Sequence, residues 1–472
     1  MFYLYLCYFT FGWSLAFAGV ATQFTMINML EFSPVQLSMA YVLFSTPWCV
    51  KPLYGMISDK FPVFDWGQRR PYISMTFYLA SFIYVFIDVF IQSKIAFVSS
   101  MVILSALVCY ADVCADSITV HIAKKESVKG RIQSNCWIAR AFGTLVGALF
   151  GGLAYNTLGG VNVFRLCGIM PFITSILIWK LPKFETHTKI NVMNTLIDNL
   201  LEEKYLAILF LIMNIGPDYG PFYTYYLQQE MQYKPTDFAW MSVSASLSFL
   251  LSTITFNQCL LQKKAGTIVL VGIVGSTLFK LTQLLVVSGM MPYFWIVLGD
   301  GVAESFFGQL ILMPLIVKTA NVCKDGVEGS LYALMMSIAN LSNVIGDWLG
   351  SIVGYVLGVT QYNFDNMIPF MVIGITLQCF IPLYFILRGK TFFYEDSETE
   401  SDDLDHTLEP EDPVILVSNR ETSVSLEENK RAMSVNKRGF WGWKPAYFRR
   451  LRQTSDSMDR TSDHDEDHTL EK

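Results

Sequence analysis

Charge is what this sequence has least of. Only 16% of its 472 residues are Asp, Glu, Lys or Arg, against 53% hydrophobic, where a soluble domain carries nearer ~25% charge. That scarcity excludes one water-soluble core of this length, whereas lipid can absorb the apolar surface; mean hydropathy is +0.39. Histidine is scarce as well, at five residues, and the nine cysteines form no CxxC pair. Cys7, Cys49, Cys109, Cys114, Cys136 and Cys167 lie inside apolar runs and read as small buried hydrophobes, not as a disulfide framework or zinc site. No nucleophile–base set, metal-ligand cluster or phosphate loop appears, so neither an enzyme nor a cofactor is expected. The formal net charge of -6 comes largely from acid in the last roughly eighty residues and points to no substrate and no nucleic-acid partner.

Long apolar runs are what the chain has instead. The first, Phe2 to Leu30, has no basic segment before it and no small-residue cleavage site after it, so it reads as a membrane helix rather than a leader. Windows of the ~20 apolar residues needed to cross a bilayer fall near 3–29, 37–57, 72–92, 95–120, 131–153 and 162–180. Six more fall near 205–228, 238–258, 267–288, 293–317, 330–357 and 367–387. The reading is an all-α membrane protein with twelve transmembrane helices in two six-helix halves, 1–182 and 205–390. A central cytosolic loop (183–204) joins them and a disordered, acid- and Ser/Thr-rich cytosolic tail (391–472) follows. Within the tail, Lys437 to Arg452 interleaves cations with aromatics and reads as a membrane-surface anchor or a solvated basic stretch. Lys and Arg crowd alternate connections (Lys60, Arg69, Arg70; Lys124, Lys125, Lys129, Arg131; Lys263, Lys264) and nearly vanish from the others. Both termini are therefore expected on the cytoplasmic side, with the plasma membrane as the expected location.

Ionisable groups inside such windows are costly and default to functional hypotheses. The fourth window carries Asp112 and Asp116, the tenth Asp300 and Glu304; each pair is four residues apart and so shares one helix face. The same pair in the fourth window of each half is what duplication of a six-helix unit leaves behind. The fifth and eleventh windows agree: Arg140 stands three residues before Gly143, and Asn343 three before Gly346, with further glycines every fourth position. Arg140 requires a partner, and the acids of the fourth window are the obvious candidates. Lys51, which has the alternative of snorkelling toward the cytosol, Asp218 in GPDYGP, Lys280 and Asp347 complete the set; Lys280 fits either a substrate cation or an internal counter-ion. Gly55, Asp59 and then Arg69 and Arg70 resemble the loop motif of the major facilitator superfamily, with a longer insert, and would form a charge latch that breaks as the halves rock.

Several short motifs in order carry a more specific likeness: KPLYGMISD, RRPY, ADVCADS and QSNCWIARAFG, then LGDGVAESFFGQLILMPL and DGVEGSLYALMMSIANL. From about the second window to the twelfth the chain resembles the folate–biopterin transporter family of the major facilitator superfamily. The resemblance implies that superfamily's fold and a transporter of folate, pterins or a related metabolite, proton-coupled in many members. Members that carry S-adenosylmethionine keep other solutes open, as do a sugar carrier or a transporter-like receptor. Carried over residue by residue, it points to Lys51, Asp59, Asp112, Asp116, Arg140, Asp300 and Glu304. A carboxylate can meet the aminopyrimidinone edge of a pterin with two hydrogen bonds, and a folate's glutamate tail calls for a cation such as Arg140 or Lys280. The expected division is substrate binding by Asp112, Asp116, Arg140 and Lys280, and proton coupling by Asp300 and Glu304, away from Arg140. Lys51, Asp59, Arg69 and Arg70 are expected to gate.

Overall fold

The computed structural model describes residues 1–61, 69–123, 131–181, 197–198, 200–322 and 328–388. The side chain of Asp59, most of the central loop and the tail from 391 on, with its basic aromatic stretch, lie outside the described residues. Sixteen α-helices are used below. The first nine are α1 (Phe2–Phe17), α2 (Gly19–Phe24), α3 (Pro34–Cys49), α4 (Lys51–Lys60), α5 (Arg70–Val85), α6 (Lys94–Ala123), α7 (Arg131–Leu158), α8 (Gly160–Cys167) and α9 (Ile169–Leu177). The others are α10 (Lys204–Ile212), α11 (Gly220–Gln229), α12 (Pro235–Thr255), α13 (Ala265–Val287), α14 (Phe294–Val322), α15 (Glu328–Val356) and α16 (Met367–Arg388).

Among the described residues, eight stretches are long and apolar enough to cross a membrane, including Phe2–Met29, where α1, α2 and a π-helical turn run on. The other windows form helices too, but local chemistry interrupts or dilutes them. The second is divided at Val50, where α4 restarts with Pro52 in its first turn, a position at which the missing N–H costs nothing. The seventh is divided between Ile212 and Gly220, across Gly216 and Pro217. Helix α15 is long enough but carries Asn340, Asn343 and Asp347. Starts are marked by caps: the amide of Gln36 donates to Ser33 Oγ (3.3 Å) and Gln36 Oε1 accepts from the amide of Ser33 (3.1 Å), ahead of α3.

Four apolar clusters build the two ends of the bundle. At the end where α1 begins, here the proximal end, Tyr8 and Phe11 pack with Ile73, Phe77, Ile132 and Ile178. The C-terminal helices make the matching cluster from Leu206, Phe256, Ile316 and Met335, which Val120 and Trp137 join. At the distal end Phe17, Phe32, Tyr84 and Phe164 form one cluster, and Phe222, Phe238, Val286 and Phe370 the other. Hydrogen bonds tie N- to C-terminal helices at both ends. Proximally, Gln133 Nε2 donates to Tyr332 Oη (2.6 Å) and Asn257 Nδ2 to Asn135 Oδ1 (3.1 Å). Distally, Gln228 Nε2 donates to Asn28 Oδ1 (3.0 Å) and the Tyr225 hydroxyl to the Phe32 carbonyl.

The glycine rows explain the closest packing. A Cβ at Gly143, Gly147 or Gly151 of α7 would press on the backbone of Phe9, Trp13 or Phe17 in turn. In α15, Gly346 and Gly350 meet the backbone carbonyls of Asn214 and Asp218, and Gly354 meets the ring of Phe222. Both rows and both partner series advance by four residues, so one spacing of close contact occurs twice, against a helix in α7 and against the interrupted stretch before α11 in α15. Replacing Gly151 or Gly350 by alanine is expected to cost about 1–3 kcal/mol or more through overpacking, read as a lower unfolding temperature in detergent. Gly19→Ala, which meets nothing within 4 Å, is expected to leave that temperature unchanged.

Candidate functional site

The polar site grows from the break at Val50. Because α4 restarts there, Lys51 lies at its first turn, points inward and is 2% exposed. The snorkelling alternative does not hold: Lys51 Nζ lies 2.6 Å from Asp112 Oδ2 and 3.8 Å from Asp116 Oδ2. From α7, Arg140 Nη1 reaches Asp112 Oδ1 at 3.0 Å. Asp116 Oδ1 accepts a hydrogen bond from the Tyr8 hydroxyl at 2.6 Å. Four charges from α4, α6 and α7 thus form one network, as the four-residue spacing of the acids required. Asp112 has an oxygen on each cation and a side chain only 1% exposed. With both oxygens so engaged, Asp112 holds Lys51 and Arg140 in place.

Two cavities meet at Arg140. One, about 480 Å³, is lined by Lys51, Asp112, Asp116 and Trp137 on one side and by Asn214, Asn340 and Asn343 on the other. The other, about 570 Å³, carries hydroxyls such as Ser14, Thr22, Tyr41 and Ser246 around an apolar wall. Leu15, Ser45, Trp48 and Arg140 line both. Trp48 is locked by its indole N–H on Ser105 Oγ (2.9 Å), and its carbonyl accepts from Asn340 Nδ2 (3.3 Å). Its ring lies 4.9 Å from Lys51 Nζ and 5.8 Å from the Arg140 guanidinium, which also lies 5.2 Å from Trp137. A flat solute would meet cations and aromatic faces in one place.

The C-terminal helices hold a second network. Lys280 Nζ donates to Gln378 Oε1 (2.6 Å) and lies 3.4 Å from Glu304. Lys280 lines neither cavity that Arg140 lines. Among the described residues neither acid of the tenth window pairs with Arg140: Glu304 has Lys280 as its cation, and Asp300 shows no ion pair. Asp300 is 4% exposed; one oxygen accepts from the Thr282 hydroxyl and the other has no hydrogen-bond partner among the described residues. Gln378 Nε2 also donates to the carbonyls of Gly216 and Pro217 in the interrupted stretch before α11 (3.3 and 3.4 Å). The amide of Asp218 donates to the carbonyl of Gly346 (2.9 Å), which sets Asp218 beside the turn of α15 that carries Asp347.

At the proximal end Arg69 donates to Ser58 Oγ (2.5 Å) and Arg70 to the carbonyl of Leu181 (2.7 Å). The Asp59 carboxylate of the expected latch lies outside the described residues. Tyr8, Trp48 and Gln378 were not singled out from sequence, because tyrosines, tryptophans and glutamines in apolar runs are too common to stand out. An aromatic three residues before a buried lysine, as in Trp48-Cys-Val-Lys51, was the available signal.

The sequence model of the BT1 family matches residues 12–204 and 184–406 in two overlapping stretches. The chain is 27% identical over 388 residues to the folate-biopterin transporter of Synechocystis, covering 79% of this chain and 78% of that one. It is 25% identical to probable folate-biopterin transporter 2 of Arabidopsis thaliana, covering 82% and 84%. Among solved structures, a proton:xylose symporter of the major facilitator superfamily superposes with a TM-score of 0.60 at 12% identity, covering 83% and 94%. At that identity the likeness shows the fold, that of the major facilitator superfamily.

Asp112→Asn would leave two buried cations sharing one neutral amide. Breaking a buried pair costs about 3–5 kcal/mol, so the variant is expected to unfold at markedly lower temperature in detergent. Asp88→Asn, which removes an exposed partner of Arg165, is the control expected to change nothing measurable.

Proposed function

Because the chain belongs to the BT1 family of folate–biopterin transporters, we propose that it carries a folate- or pterin-like solute, driven by protons. One observation carries the reading: Arg140 stands where the two cavities meet, with one N–H on Asp112 and the Trp48 and Trp137 rings beside it. A planar ring can stack in such a setting, and the remaining guanidinium donors suit a carbonyl or carboxylate. Asp112 and Asp116 position the cations, while Lys280 serves the solute's passage through the C-terminal network.

Alternating access supplies the movement. The twelve crossings would form halves 1–182 and 205–390 that rock about the site, with cytoplasmic termini in the plasma membrane. The end contacts Gln133–Tyr332 and Asn28–Gln228 are of the size that can break and re-form in turn. Lys51, Asp59, Arg69 and Arg70 would gate the proximal end. Asp300, buried with an oxygen free of partners, and Glu304, releasable from Lys280, would carry the driving proton.

Purified protein in liposomes should accumulate labelled folate or biopterin when the outside is made acidic, and S-adenosylmethionine and xylose should fail to compete. Uptake of either competitor without folate or biopterin uptake would replace the substrate reading. Arg140→Gln is expected to lower folate uptake at least tenfold. Asp300→Asn and Glu304→Gln are expected to abolish accumulation driven by the gradient while sparing exchange between equal pools. Undiminished accumulation in both would remove them from the coupling step.

A further inference from the structure

The four charges around Asp112 are not equivalent, and their inequality bears on what the cavity admits. Lys51 and Arg140 carry two positive charges; Asp112 and Asp116 carry two negative ones, so the site is neutral when both acids are ionised. Asp112 is tied at 2.6 and 3.0 Å to both cations. Asp116 is tied closely only to a neutral hydroxyl, Tyr8 at 2.6 Å, with Lys51 out at 3.8 Å. A proton on Asp116 therefore leaves both close ion pairs intact, whereas a proton on Asp112 would leave two buried cations without their common partner. The proton adds one net positive charge to a buried cavity that Arg140 also lines.

Resting on the carrier reading, we infer that Asp116 is a second protonation site, and that its proton admits a carboxylate of the solute at Arg140. The two charges enter together because a buried site tolerates neither alone. The substrate class this selects is a flat ring bearing a carboxylate, bound with its proton; a pterin without a carboxylate enters without one. The role differs from that of Asp300 and Glu304, which stand apart in the C-terminal network.

The groups that face Asp116 are few. They are Tyr8 of α1, Lys51 of α4, Asp112 on its own helix and Arg140 of α7. Behind Tyr8 stand Cys136 of α7 and Tyr332 of α15. Protonation is favoured as pH falls, so carboxylate binding tightens at low pH and weakens as pH rises.

The test is equilibrium binding of folate and of biopterin to the full chain in lipid nanodiscs across pH, beside infrared pH-difference spectra without ligand. The folate Kd of the wild type should rise about tenfold per pH unit above the transition, as linkage to one proton requires. In Asp116→Asn it should stay flat and low, while Asp88→Asn, at an exposed site outside the cavities, keeps the slope and biopterin shows none. The ligand-free spectra should contain a carboxylic-acid carbonyl band that Asp116→Asn removes and Tyr8→Phe shifts. Folate binding that weakens equally with pH in wild type and Asp116→Asn overturns the inference and leaves the carrier reading standing. If neither ligand binds at any pH, the substrate reading fails and the infrared arm decides alone: an unchanged band in Asp116→Asn overturns the inference. If Asp116→Asn does not fold, an unshifted band in Tyr8→Phe does so.

Discussion

A charge taken out of water must find an opposite charge, and that requirement organises the centre of this protein. Lys51 and Arg140 are held among apolar helices, and a lone cation there would carry a desolvation penalty of several kcal/mol. Asp112 answers both at once, which ties α4 and α7 to α6. The approach of α1 depends on small residues. A Cβ at Gly12 would press on the Arg140 carbonyl, and one at Gly143 on that of Phe9. With these glycines in place, α1 comes near enough for Tyr8 to reach Asp116. Sequence therefore sets backbone distance, distance sets pairing, and pairing leaves Arg140 turned toward the cavities.

The C-terminal helices repeat the scaffold without repeating the chemistry. Helix α15 uses glycines at the same spacing against the stretch around Asp218 that α7 uses against α1. Asn343 stands where α7 has Arg140, and the acids of α14 find Thr282 and Lys280 instead of a shared pair of cations. The break before α11 adds backbone carbonyls, held by Gln378, that have no counterpart in the continuous α1. One set of helices thus carries a charge cluster centred on Asp112, which pairs with both cations. The other carries looser polar contacts, half-exposed at Glu304, of the kind that can rearrange during a transport cycle.

Much of this was legible in the sequence, for identifiable reasons. Apolar windows report helices because lipid leaves the backbone few other ways to satisfy its hydrogen bonds. Four-residue spacing placed Asp112 with Asp116, and the cost of a buried guanidinium predicted the Arg140 pairing. The direction of Lys51 was not legible, since a lysine near a helix end can snorkel or turn inward and only the break at Val50 decides. Nor was the separation of Lys280 from Arg140, because spacing along α13 says nothing about which cavity that helix lines. Tyr8 was hidden for a related reason: its role depends on the crossing of α1 and α7, a contact between residues 108 positions apart.

The central claim is that the solute sits where the two cavities meet, with Arg140 as its polar anchor. The most direct measurement is an electron cryomicroscopy structure of the full chain in nanodiscs with folate bound. The account predicts ligand density between the two cavities, within hydrogen-bonding distance of the Arg140 guanidinium and against the Trp48 or Trp137 ring. Density lodged instead beside Lys280 and Gln378, with Arg140 still facing only Asp112, would contradict it.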